Sequence, residues 1–285
     1  MIFSVIVTYN PVLERLKTLA SKLNDSNVIP IIVDNASVNS IDLGFEVVSL
    51  SDNYGIAKAQ NIGIEKAIKL GAKHIVFFDQ DSSIPDSDFI KKLFSPIGEG
   101  IATITAPIFV DEARGFTYPI VNIDSNGGRT KIYPNVSDKP FFVNNVISSG
   151  TMVDVEVFKA VGVMKEELFI DYVDTEWCLR SATKGYKALV VPSAVMCHSI
   201  GDSSFSLLGF NIPKHSPLRR YYRVRNSLYL LRQNHIPKLM AIREVLFSVI
   251  HQLLLVLTSS GERVEYMKYL LEGLRDGVVG KFGKY

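Results

Sequence analysis

The stretch HIVFFDQDSSIPD, residues 74–86, joins four consecutive apolar residues to two aspartates that stand one residue apart. A run that is apolar at every position indicates a strand buried on both faces of a parallel sheet. A carboxylate beside such a strand loses hydration unless it lies at the strand's open end or is neutralised by a cation. Asp79 and Asp81 therefore bear on both the fold and the position of a site.

Short apolar runs alternate with helix-period segments over the first hundred residues. The runs FSVIVTY, IPIIVD, FEVVSL and HIVFFD predict strands, and residues 12–23 and 56–70 predict helices. This order predicts an α/β fold with a mainly parallel sheet flanked by helices. Ligands bind such sheets beyond the carboxyl ends of the strands, which here read TYNP, VDNAS and FDQDS.

The composition is that of a globular protein, with 47% hydrophobic and 21% charged residues among 285. Its two cysteines cannot form a disulfide framework, and no leader pattern opens the sequence, so we expect a reducing cytosol. From residue 214 onward the sequence has 13 Lys and Arg and only 5 Asp and Glu. Before residue 214 it has 18 Lys and Arg and 24 Asp and Glu. A basic tail favours phosphate-rich partners, but no recognised nucleic-acid-binding motif accompanies it.

The tail is expected to be a helical region, residues 213–285, that follows a main domain at residues 1–212. Its apolar run VLFSVIHQLLLVL, residues 245–257, spans ~13 residues, fewer than the ~20 that cross a bilayer. Two interpretations stay open, a helix lying on an anionic membrane surface and a helix packed on the main domain. Residues 108–145, rich in Gly, Pro and Asn, predict loops with short antiparallel strands.

The spacing of Asp79 and Asp81 does not by itself indicate a site. Asp86 and Asp88 have the same spacing but stand beside a predicted helix, where helix capping explains them. Residues i and i+2 of an extended segment point the same way, so the carboxylates of Asp79 and Asp81 can converge on one cation. Mg²⁺ and Mn²⁺ prefer oxygen ligands and leave positions for substrate phosphates. The pair therefore predicts a site for a metal and a diphosphate.

Five motifs in order, VTYNP, VDNAS, NYGIAKAQNIGI, FFDQDS and FIDYVDTEWCLR, resemble those of inverting family 2 glycosyltransferases with the GT-A fold. The FDQDS motif and the tail segments YYRVRNSLYLLRQ and GLRDGVVGKFG are similar to bacterial rhamnosyltransferases that build O-antigen and other surface polysaccharides. The resemblance covers nearly the whole chain. It implies a Rossmann-like GT-A domain with a C-terminal helical extension.

The resemblance also implies which residues hold the nucleotide-sugar donor and the metal. Donor contacts are expected from Thr8, Tyr9, Asn10, Asp34, Asn53, Gln60, Asp79 and Arg225. The metal ligands are expected to be Asp79, Asp81 and His198, although a structural or solvated role for His198 stays open. Many family members have an arginine where this chain has Gln60, so that contact is either missing or supplied by Lys58. Arg225 would face the donor diphosphate or a lipid diphosphate on the acceptor.

Asp174 matches the family's catalytic base when FIDYVDTEWCLR is aligned on Leu179 and Arg180, and Val173 replaces the acid that normally precedes it. Asp171 is the second choice. An ordinary helix cap is the alternative role for Asp174, because a carboxylate is stabilised in the first turn of a helix. Acceptor contacts are expected from Ser149, Gly150 and Asp171.

Together these observations predict a metal-dependent, inverting transfer of L-rhamnose from dTDP-β-L-rhamnose to a lipid-linked saccharide. The protein is expected in the cytoplasm, peripheral on the inner face of the cytoplasmic membrane. One alternative is a transferase for a UDP-hexose such as galactose or glucose. The other is a non-catalytic nucleotide-binding or membrane-docking module built on the same sheet.

Overall fold

The computed structural model describes residues 1–111, 115–197, 204–207, 210–213, 215–259 and 261–285. The strands are β1 (Ile2–Thr8), β2 (Val28–Asp34), β3 (Glu46–Ser49), β4 (His74–Asp79), β5 (Ile104–Asp111), β6 (Phe116–Thr117), β7 (Ile120–Ile123), β8 (Arg129–Ile132), β9 (Phe141–Val143), β10 (Met152–Asp154), β11 (Ala188–Cys197), β12 (Ser204–Leu207) and β13 (Phe210–Pro213). The helices are α1 (Leu13–Asp25), α2 (Gly55–Lys69), α3 (Phe89–Gly98), α4 (Val155–Val161), α5 (Val173–Thr183), α6 (Pro217–Arg232), α7 (Lys238–Thr258) and α8 (Arg263–Val279).

The central sheet has the strand order β3-β2-β1-β4-β10-β5-β11-β9 among the described residues, and β6 pairs with β5. The first four strands are parallel, and β5 and β11 are parallel to each other. The short strand β10 runs antiparallel between β4 and β5. The predicted mainly parallel α/β sheet is therefore confirmed, with one reversed strand at its centre.

Two apolar cores lie on the two faces of the sheet because successive strand residues point to opposite sides. Val5 belongs to the core that α2, α4 and α5 cover, whereas its neighbour Ile6 belongs to the core that α1 and α3 cover. A β-carbon added to Gly63 would stand 2.4 Å from a methyl of Val5. The absence of a side chain at Gly63 therefore lets α2 approach the sheet closely.

The helices α6, α7 and α8 pack on one another through partly polar contacts. Gln252 of α7 is fully buried, accepts a hydrogen bond from Arg220 at 3.2 Å and donates one to the carbonyl of Tyr266 at 2.8 Å. One face of α7 is therefore packed against protein. By length and composition alone, α7 is long and apolar enough to cross a bilayer. In the structure, 33% of its most apolar 18-residue stretch is buried against protein.

The structure corrects one predicted boundary in the C-terminal half. The apolar run at residues 245–257 is the later part of a 21-residue helix that begins after Pro237. The antiparallel pairing of β7 with β8 confirms the short strands predicted within residues 108–145.

Candidate active site

A cavity of about 870 Å³ opens at the carboxyl ends of β1 and β4. Strand ends and the start of α2 form part of its wall, and α6, α7 and the β7–β8 hairpin form another part. Its volume is within the range of small-molecule sites. The structure brings together nine of the predicted site residues in its lining: Thr8, Tyr9, Asn53, Gln60, Asp79, Asp81, Ser149, Asp171 and Asp174.

Two predicted donor residues, Asn10 and Asp34, are not among the described residues that line the cavity. Asp34 accepts hydrogen bonds from the backbone amide of Ser37 at 3.2 Å and from its hydroxyl group. The amide of Asn10 donates to that hydroxyl oxygen at 2.8 Å, and the side-chain oxygen of Asn10 accepts from the amide of Val38 at 2.9 Å. Both side chains therefore shape the turn after β2, and their contact with a nucleotide base stays a prediction.

Asn35, which was not predicted as a site residue, lines the cavity and aligns the start of α2. Its side chain donates to the side-chain oxygen of Asn53 at 3.0 Å and accepts from the amide of Tyr54 at 2.9 Å. At Gly55 φ is +83°, and an added β-carbon would lie 2.5 Å from the carbonyl oxygen of Phe169. Only glycine fits here. The position of Asn35 in the strand-end motif VDNAS was the available signal.

Asp79 and Asp81 both line the cavity, as their spacing predicts. The side chain of the intervening Gln80 accepts a hydrogen bond from the amide of Tyr9 at 2.7 Å, which ties the end of β4 to the end of β1. The amide of Asp79 donates to the hydroxyl oxygen of Ser149 at 3.2 Å. These two contacts fix the end of β4, where Asp79 and Asp81 line the cavity.

The third predicted metal ligand, His198, lies outside the described residues. Among the residues that the structure describes, no three His, Cys, Asp or Glu side chains are grouped to hold a metal ion. Two carboxylates in one cavity fit a hard divalent cation, because Mg²⁺ is usually bound by one or two carboxylates together with substrate phosphates and water. The donor set thus fits an ion that a diphosphate helps to bind.

Asp174 occupies the first turn of α5, as predicted, and its half-buried side chain lines the cavity. The amide of Thr175 donates to its carboxylate at 2.7 Å. Burial raises the pKa of the Asp174 carboxyl above the usual range, and the neighbouring Asp171 adds to the rise, while the amides of Thr175 and Ser148 oppose it. A carboxylate whose pKa is raised towards the working pH is better suited to accept a proton.

The segment before Asp174 has an unusual backbone. The φ angle is +64° at Phe169, +62° at Asp171 and +64° at Tyr172. Non-glycine residues in this left-handed region cost roughly 1–3 kcal/mol each and persist where the surrounding structure holds them. Such strain beside a half-buried acid is typical of a functional site.

Asn226 of α6 holds this segment in place. Its buried side-chain amide donates to three backbone carbonyl oxygens, those of Leu168 at 2.8 Å, Ile170 at 2.7 Å and Asp171 at 3.2 Å. Buried carbonyl groups without partners are costly, so these bonds stabilise the strained conformation.

Asp171 lines the cavity but is engaged by two arginines. Its carboxylate lies 3.3 Å from Arg219 and 3.8 Å from Arg223, and its side chain is 6% exposed. Arg223 also stacks over the ring of Tyr172, whose hydroxyl donates to Glu244 at 3.0 Å. Asp171 is therefore paired with cations of α6, and the choice of Asp174 over Asp171 as the base stays a prediction.

The structure corrects the expectation that Arg225 binds the donor. Arg225 is 1% exposed and is absent from the described lining of the cavity. Each of its guanidinium nitrogens donates to a protein oxygen, on Asn226, Glu167, Leu168 or Gly283. Arg225 therefore belongs to the framework that supports the strained segment.

Gln60 lines the cavity and donates to the hydroxyl oxygen of Ser148 at 2.7 Å. Lys58, the other residue considered for the missing arginine contact, is not among the described lining residues. Its amine lies 3.9 Å from the carboxylate of Glu166 and above the ring of Tyr54. The position of Lys58 therefore gives no support for a nucleotide contact.

Ser149 lines the cavity, whereas the neighbouring Gly150 is not among the described lining residues. Gly150 has a φ of +73°, and an added β-carbon would lie 2.6 Å from the ring of Pro107. Its amide donates to the carbonyl of Phe77 at 2.6 Å. The structure thus assigns Gly150 to the turn that presents Ser149, and a direct acceptor contact by Gly150 is not supported.

The wall formed by the C-terminal helices contains charged residues that were not predicted. Arg219, Arg223, Arg243 and Glu244 of these helices line the cavity, and Arg129 of β8 lines it beside them. The spacing of Arg219 and Arg223, four residues apart on α6, places them on one helix face and was an available signal. Residues 213–285 therefore contribute to the site itself.

The fold and the cavity define a class of protein. A mainly parallel sheet whose strand ends carry paired acids, facing a cavity with one further half-buried acid, is the arrangement of a nucleotide-sugar-dependent glycosyltransferase of the GT-A type. The family model "Glycosyl transferase family 2" matches residues 4–161. The chain belongs to glycosyl transferase family 2, which confirms the predicted family, fold and enzyme class.

Comparison with individual proteins agrees with this assignment. The chain is 47% identical over 292 residues to the dTDP-rhamnosyl transferase RfbF of Shigella flexneri, covering 99% of this chain and 97% of that protein. The mannosyltransferase PcManGT from Pyrobaculum calidifontis, solved with GDP-Man and Mn²⁺, matches with a TM-score of 0.56 and 13% identity over 98% of this chain and 87% of that one. TarS from S. aureus matches with a TM-score of 0.59 and 16% identity over 96% of this chain and 49% of that one. At these identities the two solved structures establish the fold alone.

Proposed function

We propose that this glycosyltransferase moves L-rhamnose from dTDP-β-L-rhamnose to a lipid-linked saccharide, with inversion, during synthesis of a bacterial surface polysaccharide. The observation that carries the proposal is the 47% identity, over 99% of the chain, to a dTDP-rhamnosyl transferase. The shared cavity of Asp174 and the Asp79–Asp81 pair supports it, because donor and acceptor groups must meet there.

The side chains of this cavity suit an in-line displacement. Asp174 accepts the proton of the acceptor hydroxyl, whose oxygen then attacks the anomeric carbon from the face opposite dTDP. The bond from that carbon to the diphosphate oxygen breaks, and dTDP leaves with the electron pair. Asp79 and Asp81 would hold Mg²⁺ or Mn²⁺, which when bound offsets the negative charge of the leaving diphosphate.

We further propose that Thr8, Tyr9, Asn53 and Gln60 contact the donor and that Ser149 and Asp171 contact the acceptor. Residues 1–212 would form most of the catalytic domain, with one wall supplied by residues 213–285. A lipid-linked acceptor implies a cytoplasmic protein that works peripherally on the inner face of the cell membrane. The exposed apolar side chains of α7 support this location.

Donor preference tests the proposal directly. Hydrolysis and transfer should be measured with dTDP-β-L-rhamnose, UDP-galactose and UDP-glucose in the presence of Mn²⁺. Clear preference for dTDP-rhamnose is expected, and faster turnover of a UDP-hexose would identify the alternative transferase. A non-catalytic module predicts no turnover of any donor and no effect of Asp174→Asn on function, whereas the proposed enzyme predicts loss of transfer with donor binding retained.

A further inference from the structure

The arginines of the helical wall differ from the structural arginines of the same protein. Arg180 forms a closed, two-bond ion pair with Glu176 at 2.9 and 3.0 Å. Arg225 has every guanidinium nitrogen engaged by a protein oxygen. The protein itself therefore supplies hydrogen-bond acceptors for both guanidinium groups. Charge-assisted hydrogen bonds of this kind are typically about 2.7–2.9 Å long.

The wall arginines, by contrast, are only partly paired. Arg219 donates to Asp171 at 3.3 Å and Arg243 donates to the carbonyl of Gly127 at 3.0 Å, while Arg223 lies 3.8 Å from both Asp171 and Glu244. In the part of the chain that the structure describes, Nε of Arg219 and two nitrogens of Arg243 have no hydrogen-bond partner. With Arg129 this wall has four guanidinium groups against two carboxylates, so it retains both charge and donors for an anion.

The arginine wall differs from the predicted donor site in the elements that form it. The predicted donor contacts come from strand ends and the start of α2, where Asp79 and Asp81 supply the ligands for a cation. Arg219, Arg223 and Arg243 come from α6 and α7, and Arg129 comes from the hairpin that packs on α7 through Gly127. This separation by structural element favours a second phosphate-bearing ligand.

The outer face of α7 is apolar, which indicates that the phosphate-bearing ligand also has an apolar part. Six apolar residues at helical spacing are exposed along its whole length, between 40% and 71%: Leu239, Ile242, Leu246, Ile250, Leu253 and Leu257. Polar residues normally occupy the solvent face of a helix, and a continuous apolar stripe marks an interaction surface. Arg243 lies four residues after Leu239 and three before Leu246, so the stripe borders the arginine wall directly.

We infer that Arg129, Arg219, Arg223 and Arg243 bind the phosphate or diphosphate ester of a lipid, and that the apolar stripe of α7 contacts the alkyl chain of that lipid. The inference deepens the proposed function and rests on it, since the lipid phosphate would be that of the acceptor. No covalent step is involved. The arginine wall would orient the acceptor hydroxyl towards Asp174.

Binding measurements with a defined probe test the inference. Calorimetry should compare farnesyl diphosphate and inorganic diphosphate in the presence of a chelator, and dTDP with Mn²⁺. The double variant Arg219→Gln/Arg243→Gln is expected to weaken farnesyl diphosphate binding at least about tenfold, because hydrogen bonds to charged groups are lost. It should leave dTDP binding unchanged. The exposed Arg15→Gln on α1 is the matched control and should change neither affinity.

The stripe is tested by Ile242→Asn/Leu246→Asn, with the exposed loop variant Val136→Asn as its control. The expected result is that farnesyl diphosphate binding falls towards that of inorganic diphosphate, which itself stays constant. The inference is overturned if the arginine variant weakens dTDP as much as farnesyl diphosphate, or weakens neither. It is also overturned if the α7 variant changes only the oligomeric state, which would identify a second copy as the occupant.

The same experiment separates this inference from the proposed function. Failure of the unaltered protein to bind dTDP with Mn²⁺ counts against the proposed donor. If the unaltered protein binds farnesyl diphosphate no more tightly than inorganic diphosphate, the result counts only against the lipid site. Thermal unfolding of every variant confirms that the fold is retained.

Discussion

The side-chain amide of Asn226 donates a 2.7 Å hydrogen bond to the carbonyl oxygen of Ile170. This bond joins α6 to a backbone segment with three positive φ angles, which ends two residues before Asp174. The position of the proposed base thus depends on a residue that is remote in sequence and is not among the described cavity-lining residues.

Replacing Asn226 by Ala should lower kcat by about 10- to 100-fold, because small displacements of a catalytic group have effects of that size. The donor KM should change little, since Asn226 touches the segment that carries the base. Steady-state kinetics and thermal unfolding of Asn226→Ala, with the exposed Asn24→Ala as control, measure both effects. Reduced stability with unchanged kcat would show that Asn226 supports folding only.

The raised pKa of Asp174 predicts that Asp174→Asn stabilises the fold at neutral pH. Burial favours the protonated carboxyl in the folded state, so the wild-type protein gains relative stability at low pH and loses it as pH rises through the raised pKa. Asparagine has no charge to bury. The Tm of the variant should exceed that of wild type at pH 7–8, and the difference should shrink as pH falls towards the usual aspartate pKa. Equal Tm values at neutral pH would contradict this.

Chelation should abolish transfer, and Mn²⁺ or Mg²⁺ should restore it. Asp79→Asn and Asp81→Asn should each weaken metal-dependent binding of dTDP, because each removes a carboxylate oxygen from a hard-cation site. Asp88→Asn is the matched control, since Asp88 has the same i, i+2 spacing but is exposed and makes no side-chain cap bond. Full activity after exhaustive chelation would exclude a metal-dependent donor site.

Arg225→Lys should reduce stability without altering the donor KM. Lysine cannot reproduce the planar fork that joins Glu167, Leu168 and Gly283, so buried carbonyl groups lose partners at a cost of about 1–3 kcal/mol each. Thermal unfolding and donor kinetics separate the two effects. A raised donor KM with an unchanged Tm would show that Arg225 contributes to donor binding.

Gly63→Ala should destabilise the protein by about 1–3 kcal/mol, because the added methyl overpacks the contact between α2 and β1. The new β-carbon would lie 2.4 Å from Val5 and 3.2 Å from Val33, both rigid β-branched residues in the sheet. Denaturant unfolding measures the change. Gly98→Ala, at the end of α3 against the side chain of Phe94 at 3.3 Å, is a milder comparison.

The parallel half of the sheet was predictable because β1, β2 and β4 are apolar at nearly every position and end in polar motifs. The three-residue strands β9 and β10 carry no such signal, since their pairing is decided by tertiary contacts. The start of α7 was hidden because Arg243 and Glu244 interrupt its apolar pattern, although both face the cavity.

The strand-end part of the site was predictable for the same local reason, whereas the helical wall was not. Arg219, Arg223 and Arg225 are neighbours in one basic helix, and sequence alone does not say which face meets the cavity. Because α6 packs on the strained segment, Arg225 points inward, whereas Arg219 and Arg223 line the cavity. Such roles follow from the assembled fold.

The reversed direction of β10 determines which loop forms the cavity wall beside Asp79. Because β10 runs antiparallel to β4, the chain before it, residues 145–151, arrives at the edge where β4 delivers Asp79. A change in the length of the connection between β9 and β10 would therefore alter the cavity wall beside Asp79 and leave the carboxyl ends of β1 and β4 as they are.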